Sequence, residues 1–99
     1  MTEGLVVEGE FTVRAELGLH ARPAGRLASA AGQFEAEVTL GRGEEWVSGS
    51  SVLSILCLAA GCGTILRVRA VGADADRAVA KLGALIESLE DEVHSSSDE

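Results

Sequence analysis

The sequence has few aromatic residues and few basic ones, and both shortages narrow what the protein can be. Phenylalanine, tryptophan and tyrosine make up 3% of the 99 residues while 46% are hydrophobic, so the core must consist mainly of aliphatic side chains. Eight basic residues stand against sixteen acidic ones, which gives a net charge of −8. Because nucleic-acid binding relies on basic patches and stacking aromatics, we expect no nucleic-acid partner.

The chain also lacks a long hydrophobic segment. No stretch approaches the roughly 20 consecutive apolar residues that a membrane-spanning helix needs. The first ten residues are acidic and interrupted, unlike a secretory signal, which starts with basic residues and continues into an apolar run. We therefore expect a cytoplasmic protein with no membrane interaction. Ninety-nine residues are enough for one domain with one modest core.

Cysteine is scarce, with only Cys57 and Cys62 present. A separation of five residues is neither the spacing of a CxxC redox pair nor that of a zinc site. No second cysteine pair is available to complete such a site. Because their neighbours are apolar, we expect free thiols that are buried or half-buried, and we expect neither a metal nor a cofactor.

Acidic residues are concentrated at the end of the chain. Six of them, and no lysine or arginine, fall within residues 87–99, which leaves a charge of about −2 for the rest. Such a segment is typical of a solvated tail. The sequence therefore predicts a single domain over residues 1–90 and an acidic, flexible tail over residues 91–99.

The most informative segment is Gly-Leu-His-Ala-Arg-Pro-Ala at residues 18–24. It places His20 at the entrance to a predicted helix, where first-turn N–H groups without intrahelical partners favour an anion. Neutral imidazole is a nucleophile, Arg22 suits phosphate oxygens, and Pro23 has no N–H to leave unpaired. Between residues 14 and 26, three arginines accompany one acid. The segment indicates a histidine that can carry a phosphoryl group briefly.

Hydrophobic periodicity predicts seven elements in the order β-α-β-β-α-β-α. Alternating patterns predict four strands, at residues 8–15, 34–40, 44–48 and 64–71, with a tight connection at 41–43. Helical spacing predicts three helices, from residue 21 to the glycine at 32, over 52–58 after a serine cap at 50 or 51, and from the cap at 74 to 89. Strands with one wet and one buried face favour an α+β fold, an open-faced β-sandwich with three helices on one face of a four-stranded antiparallel sheet.

Residues 18–24 resemble the active-site signature of the HPr family, the histidine-containing phosphocarriers of the phosphoenolpyruvate-dependent phosphotransferase system. The similarity continues in Ser51-Val52-Leu53, in Ile55-Leu56, Leu58 and Gly63, and in Gly72-Ala73-Asp74-Ala75. It covers about residues 8–90 without an insertion. The predicted order of elements is also that of the family's fold.

The resemblance implies a phosphocarrier rather than a free-standing enzyme. Enzyme I would transfer a phosphoryl group to Nδ1 of His20, and an EIIA-type protein would receive it from there. Arg22 would stabilise the phosphate. The residues that would frame the site are Gly18, Leu19, Ala21 and Pro23. A monomer is expected.

The resemblance also implies a second site at Ser51, which an HPr Ser kinase/phosphorylase modifies in part of the family. Phosphate there would put about two negative charges at a helix start and on a docking surface. This chain has Ser50 where the family often has lysine, and a plain helix cap fits Ser51 equally well. Candidate docking residues are Val52, Leu53, Leu56 and Arg26. The three apolar ones fit a core equally well, and Arg26 fits a solvated position.

Other functions remain open at this point. The main alternative is an HPr-like regulatory binding module that acts on kinases or transcription regulators, its state reported by His20 or Ser51. The intact segment at 18–24 argues against a regulatory paralogue that has lost its histidine. A metal-binding or ferredoxin-like structural domain would need ligand clusters that the sequence lacks. Sugar-related and nitrogen-related carriers are similar here, so the branch is not determined.

Overall fold

The computed structural model describes residues 5–88, which form four strands and three helices. In chain order these are β1 (Leu5–Thr12), α1 (Ala21–Ala31), β2 (Ala36–Arg42), β3 (Glu45–Ser48), α2 (Val52–Cys57), β4 (Ile65–Gly72) and α3 (Ala75–Ser88). All strand pairs are antiparallel, in the sheet order β1-β4-β2-β3. The predicted α+β class and element order are confirmed. Residue 89 and the predicted boundary at 90 lie outside the described residues.

The core lies between the sheet and the helices and is almost wholly aliphatic. Alternate residues of the central strand β4 point into it, and Leu66, Val68 and Ala70 are fully buried. Phe11 and Phe34 are the aromatic residues that pack against it, and the Phe11 ring occupies the space above Gly83 in α3, where a Cβ would overlap the ring. No described helix is long and apolar enough to cross a membrane. Small and aliphatic side chains thus fill most of the core by close packing.

The first strand lies three residues earlier than predicted at both ends. Its ladder with β4 begins at Leu5 and stops at Thr12. The Val13 N–H then bonds to the Thr64 carbonyl, at 2.8 Å, outside the regular strand. Val13 and Ala15 are nevertheless buried, as the alternation predicts. Period-two burial therefore continues past the point where the hydrogen-bonded ladder ends.

The predicted connection at 41–43 is wrong at its first two positions, because β2 continues through Arg42, which pairs with Glu45. Gly41 pairs with Trp46 on one side and with Arg67 on the other, so it lies inside the sheet. The Trp46 ring covers it, and a Cβ on Gly41 would come within 2.9 Å of that ring. The turn consists instead of Gly43, at φ 62°, and Glu44. Here one glycine marks the close approach of a ring and the next one marks the turn.

The helices α1 and α3 run in opposite directions. After the end of α1, the Glu35 N–H bonds to a carboxylate oxygen of Asp74, at 3.2 Å, just before α3 begins. At the other end of α3, the Ile86 carbonyl accepts the Arg14 N–H at 3.4 Å, on the segment that leads into α1. The end of α3 and the beginning of α1 therefore lie at the same end of the molecule.

Candidate functional site

The loop before α1 is shaped by short-range and long-range backbone hydrogen bonds. The Gly18 N–H bonds to the Ala15 carbonyl at 2.9 Å, and the His20 N–H bonds to the Gly18 carbonyl at 3.0 Å. The Leu19 N–H bonds to the carbonyl of Ala60 at 2.9 Å, in the loop after α2. Gly18 has φ 76°, and a Cβ there would lie 2.7 Å from that Ala60 oxygen. Only glycine meets both constraints without strain.

His20 is the last residue before α1, and its side chain is exposed. Its carbonyl accepts the Ala24 N–H at 3.0 Å, while its imidazole makes no capping hydrogen bond. In the first turn, the N–H groups of Ala21 and Arg22 have no intrahelical acceptor, and Pro23 has no N–H. That turn also carries no acidic side chain. The imidazole therefore stands beside backbone donors and the positive end of a helix dipole.

The buried face of α1 fixes the position of this histidine. Pro23, Ala24 and Leu27 all lie in the interior, and Leu19 is only 5% exposed. Ala21, by contrast, is exposed. Of the four residues predicted to frame the site, Ala21 thus lies at the surface, whereas the others anchor the loop from inside.

Arg22 and Arg26 lie about one turn apart on α1 and line a groove between α1 and α3. Lys81 of α3 lines the same groove, and no acidic side chain does so among the described residues. No sequence pattern points to Lys81, because only the packing of α3 beside α1 brings it here. Arg22, two residues after His20, therefore lines a basic groove to which a distant part of the chain contributes Lys81.

Ser51 lies at the N-terminus of α2 and is half-buried. Its Oγ accepts the Ser54 N–H at 3.2 Å and so caps the helix. The Ser50 hydroxyl instead contacts the Ser48 hydroxyl, at 3.2 Å. The choice between the two serines, which the sequence left open, is resolved in favour of Ser51 as the cap.

The short helix α2 presents apolar side chains to solvent. Leu53 is 74% exposed and Val52 is 38% exposed, whereas Leu56 packs partly against the core and Ile55 is fully buried. A further exposed leucine, Leu17 at 72%, lies three residues before His20 and was not singled out from the sequence. The sequence feature that indicates its exposure near His20 is its position in the loop just before the 18–24 segment.

A side chain from the sheet holds the end of α2. Arg42 donates from Nη1 to the Leu58 carbonyl at 3.0 Å. Ala59 then adopts a left-handed conformation at φ 52°, and Ala60 follows with the carbonyl that binds the Leu19 N–H. These contacts link α2 to the His20 loop. Sequence patterns cannot reveal them, because they join groups that are far apart in the chain.

Both cysteines are free, as expected. Both are exposed, however, so the expectation that they are buried or half-buried is wrong. The reason is that α2 buries only Ile55, and Cys62 falls in the solvent-facing loop between α2 and β4. Within residues 5–88, no group of three histidine, cysteine or acidic side chains is placed to hold a metal ion.

Comparison with known proteins gives a consistent match. The family model described as "PTS HPr component phosphorylation site" matches residues 7–88. The phosphocarrier protein NPr of Shewanella violacea is 41% identical over 86 residues, which cover 87% of this chain and 94% of that protein. The phosphocarrier protein HPr of Pseudomonas aeruginosa is 39% identical over 84 residues, or 84% and 93% of the two chains.

The structural comparison agrees. The crystal structure of HPr from Bacillus anthracis superposes with a TM-score of 0.80 at 29% identity, over 83% of this chain and 98% of that one. The matched residues 7–88 include the His20 loop and all three helices. Proteins of this family are phosphocarriers rather than catalysts. The chain therefore belongs to the HPr family of phosphocarrier proteins of the phosphotransferase system.

Proposed function

We propose that this protein accepts a phosphoryl group on Nδ1 of His20 from a phosphorylated Enzyme I and passes it to an EIIA-type protein. The observation that carries the proposal is the exposed imidazole at the start of α1, beside unpaired helix N–H groups and Arg22. Neither a metal nor a cofactor takes part, and the carrier acts as a monomer.

The chemistry requires little from the carrier beyond position and charge. As the phosphorus–nitrogen bond to His20 forms, the bond between phosphorus and the donor breaks, and negative charge spreads over the three equatorial oxygens. Arg22 and the first-turn N–H groups stabilise those oxygens. Because these donors are exposed, they hold the group only moderately, which suits a carrier that must release it.

The open site also explains why two partner proteins are needed. His20 and Arg22 are both exposed, so nothing in the described part of the chain shields a bound phosphoryl group from water. Each partner would complete the site by covering it. We propose Val52, Leu53, Leu56 and Arg26 as docking residues. The exposure of Leu53 supports its role most strongly, whereas Leu56 contributes only its solvent-facing side.

The direct test is incubation with phosphoenolpyruvate and Enzyme I, followed by measurement of acid-labile protein phosphate. We expect stoichiometric labelling of the carrier, and loss of the label when an unphosphorylated EIIA-type protein is added. A carrier that gains no acid-labile phosphate would contradict the proposal. Labelling that no EIIA-type protein removes would contradict its second half.

Substitution of Arg22 by alanine should slow phosphoryl uptake by roughly 10- to 100-fold, because a charge-assisted contact to the phosphate is lost. Arg22→Lys should recover part of the rate, since it keeps the charge but not the bidentate fork. Arg69→Ala is the matched control, because Arg69 is an exposed arginine on β4. Initial rates of phosphate incorporation measure the effect. Equal rates for Arg22→Ala and Arg69→Ala would remove Arg22 from the mechanism.

We further propose that phosphorylation of Ser51 by an ATP-dependent Ser kinase regulates docking. Phosphate at this helix N-terminus is favoured by the dipole, and it places about two negative charges next to the exposed Val52 and Leu53. Apolar contacts made there by a partner would be weakened by the charge.

The Ser51 proposal is tested by incubation with ATP and the kinase. Ser51→Ala should take up no phosphate, whereas Ser50→Ala should take up as much as the wild type. Ser51→Ala should also lower the free energy of unfolding by about 1 kcal/mol, because α2 loses its cap. Equal phosphate incorporation into Ser51→Ala and the wild type would exclude this site.

A further inference from the structure

We propose that the acidic segment after α3, residues 89–99, binds the basic groove between α1 and α3 and there competes with phosphate for Arg22. The binding is inferred from charge, position and length. Its consequence for phosphoryl transfer rests on the proposed function, so the two parts need separate measurements.

Charge is the first argument. Three basic side chains line the groove, Arg22, Arg26 and Lys81, and no described acidic side chain lines it with them. Residues 89–99 contain no lysine or arginine and five acids: Glu90, Asp91, Glu92, Asp98 and Glu99. A single exposed ion pair contributes little, but several pairs formed by one tethered segment act together.

Position is the second argument. The hydrogen bonds of Ile86 and Glu87 fix the end of α3 against residues 12–14, with the Thr12 N–H 3.2 Å from a Glu87 carboxylate oxygen. Because α1 and α3 are antiparallel, the chain leaves α3 at the end where α1 begins. Three of the acids, Glu90 to Glu92, follow Ser88 within four residues. Ser88, to which they are joined, therefore lies at the end of the molecule where α1 begins and not at the far end of the groove.

Length and shape are the third argument. The groove extends along α1 from Arg22 to Ala30, which is about 12 Å of helix, and continues to Gln33 just beyond the end of α1. Eleven residues can span up to about 36 Å when extended, so residues 89–99 can cover all of it. Gly25, Ala30 and the half-buried Leu85 contribute little bulk to the lining. A polypeptide can thus approach α1 closely enough for its carboxylates to reach the arginines.

Nuclear magnetic resonance on the full chain tests the binding directly. We expect the backbone amide signals of Gly25, Ser29 and Lys81 to shift between the wild type and the triple variant E90Q/D91N/E92Q at about 0.01 M salt. In the wild type, raising the salt to about 1 M should shift the same signals in the same direction, because screening releases the segment.

The matched control removes three exposed acids elsewhere, as E37Q/E44Q/E45Q. This control should leave the groove signals where the wild type has them. If the groove signals of E90Q/D91N/E92Q coincide with those of the wild type at low salt, the binding proposal is overturned. Equal shifts in both triple variants would also overturn it, because the effect would then follow net charge alone.

Phosphoryl uptake tests the competition. At low salt E90Q/D91N/E92Q should accept phosphate from phosphorylated Enzyme I severalfold faster than the wild type, and the difference should vanish at high salt. Shifted groove signals with equal rates would overturn the competition. If neither protein accepts phosphate, the proposed function fails instead, and the amide signals still decide whether the segment binds.

Discussion

Replacing His20 with alanine is expected to abolish acid-labile phosphorylation by phosphoenolpyruvate and Enzyme I. The imidazole is the proposed nucleophile, and it lies at the surface before α1, where a second protein can reach it. Alanine leaves the helix start unchanged, because the His20 side chain makes no capping hydrogen bond and the bond to Ala24 comes from the backbone carbonyl. The fold should therefore persist while the reaction is lost.

The chain supplies its own control, because it contains one other histidine, His94. His94→Ala should take up at least as much acid-labile phosphate as the wild type. Incorporation is measured with labelled phosphoenolpyruvate, and circular dichroism confirms that both variants are folded. Comparable labelling of His20→Ala and the wild type would place the phosphoryl group elsewhere and end the carrier hypothesis as stated.

Gly18→Ala is expected to have the second-largest effect, on stability and activity together. Gly18 has φ 76°, which costs an alanine about 1 kcal/mol. Its new Cβ would also lie 2.7 Å from the Ala60 oxygen and 2.9 Å from the Gly61 Cα. Both are backbone atoms, which cannot rotate away. We expect the free energy of unfolding to fall by about 2–3 kcal/mol in total.

The same overlap should push the His20 loop away from the loop after α2, because the Leu19–Ala60 hydrogen bond joins them beside Gly18. A shift of about 1 Å at a reacting group costs on the order of 100-fold in rate, and we expect phosphoryl uptake to slow by that order. Denaturant titration and initial-rate measurements check the two effects.

Gly61→Ala is the matched control for Gly18→Ala, because it adds the same methyl group on the facing loop. A Cβ on Gly61 meets no atom within 4 Å. Its stability and its rate of phosphoryl uptake should therefore stay close to those of the wild type. If Gly18→Ala behaves like Gly61→Ala, the close approach between the two loops does not constrain the site.

The sequence predicted the order of elements correctly because that order depends on local periodicity. Alternation in β4 and helical spacing in α1 both follow from which side chains face the core. The core positions of each element recur every two to four residues, so they can be recognised from a short segment of sequence. The ends of strands were less predictable. β1 ends at Thr12, although burial continues through Ala15, because the ladder also requires a partner strand, and β4 begins only at Ile65.

Glycine shows the same limit. From the sequence, Gly41 and Gly43 are equally suitable turn residues, yet only Gly43 lies in the turn. Gly41 is required because the Trp46 ring crosses the sheet at that point, with the Arg67 guanidinium 4.5 Å from the ring centre. This contact involves residues from three strands, so no local sequence pattern predicts it.

What the sequence alone determined is the local chemistry: His20 before a helix, Pro23 in the first turn, Arg22 beside it, and a strand–helix order that accommodates them. Each depends on residues a few positions apart. Only the tertiary structure decided that Ala60 holds the His20 loop, that Lys81 joins the two arginines, and that Leu53 and both cysteines are exposed. The physical reason is that exposure and groove charge depend on how distant segments pack, whereas helix capping and periodicity do not.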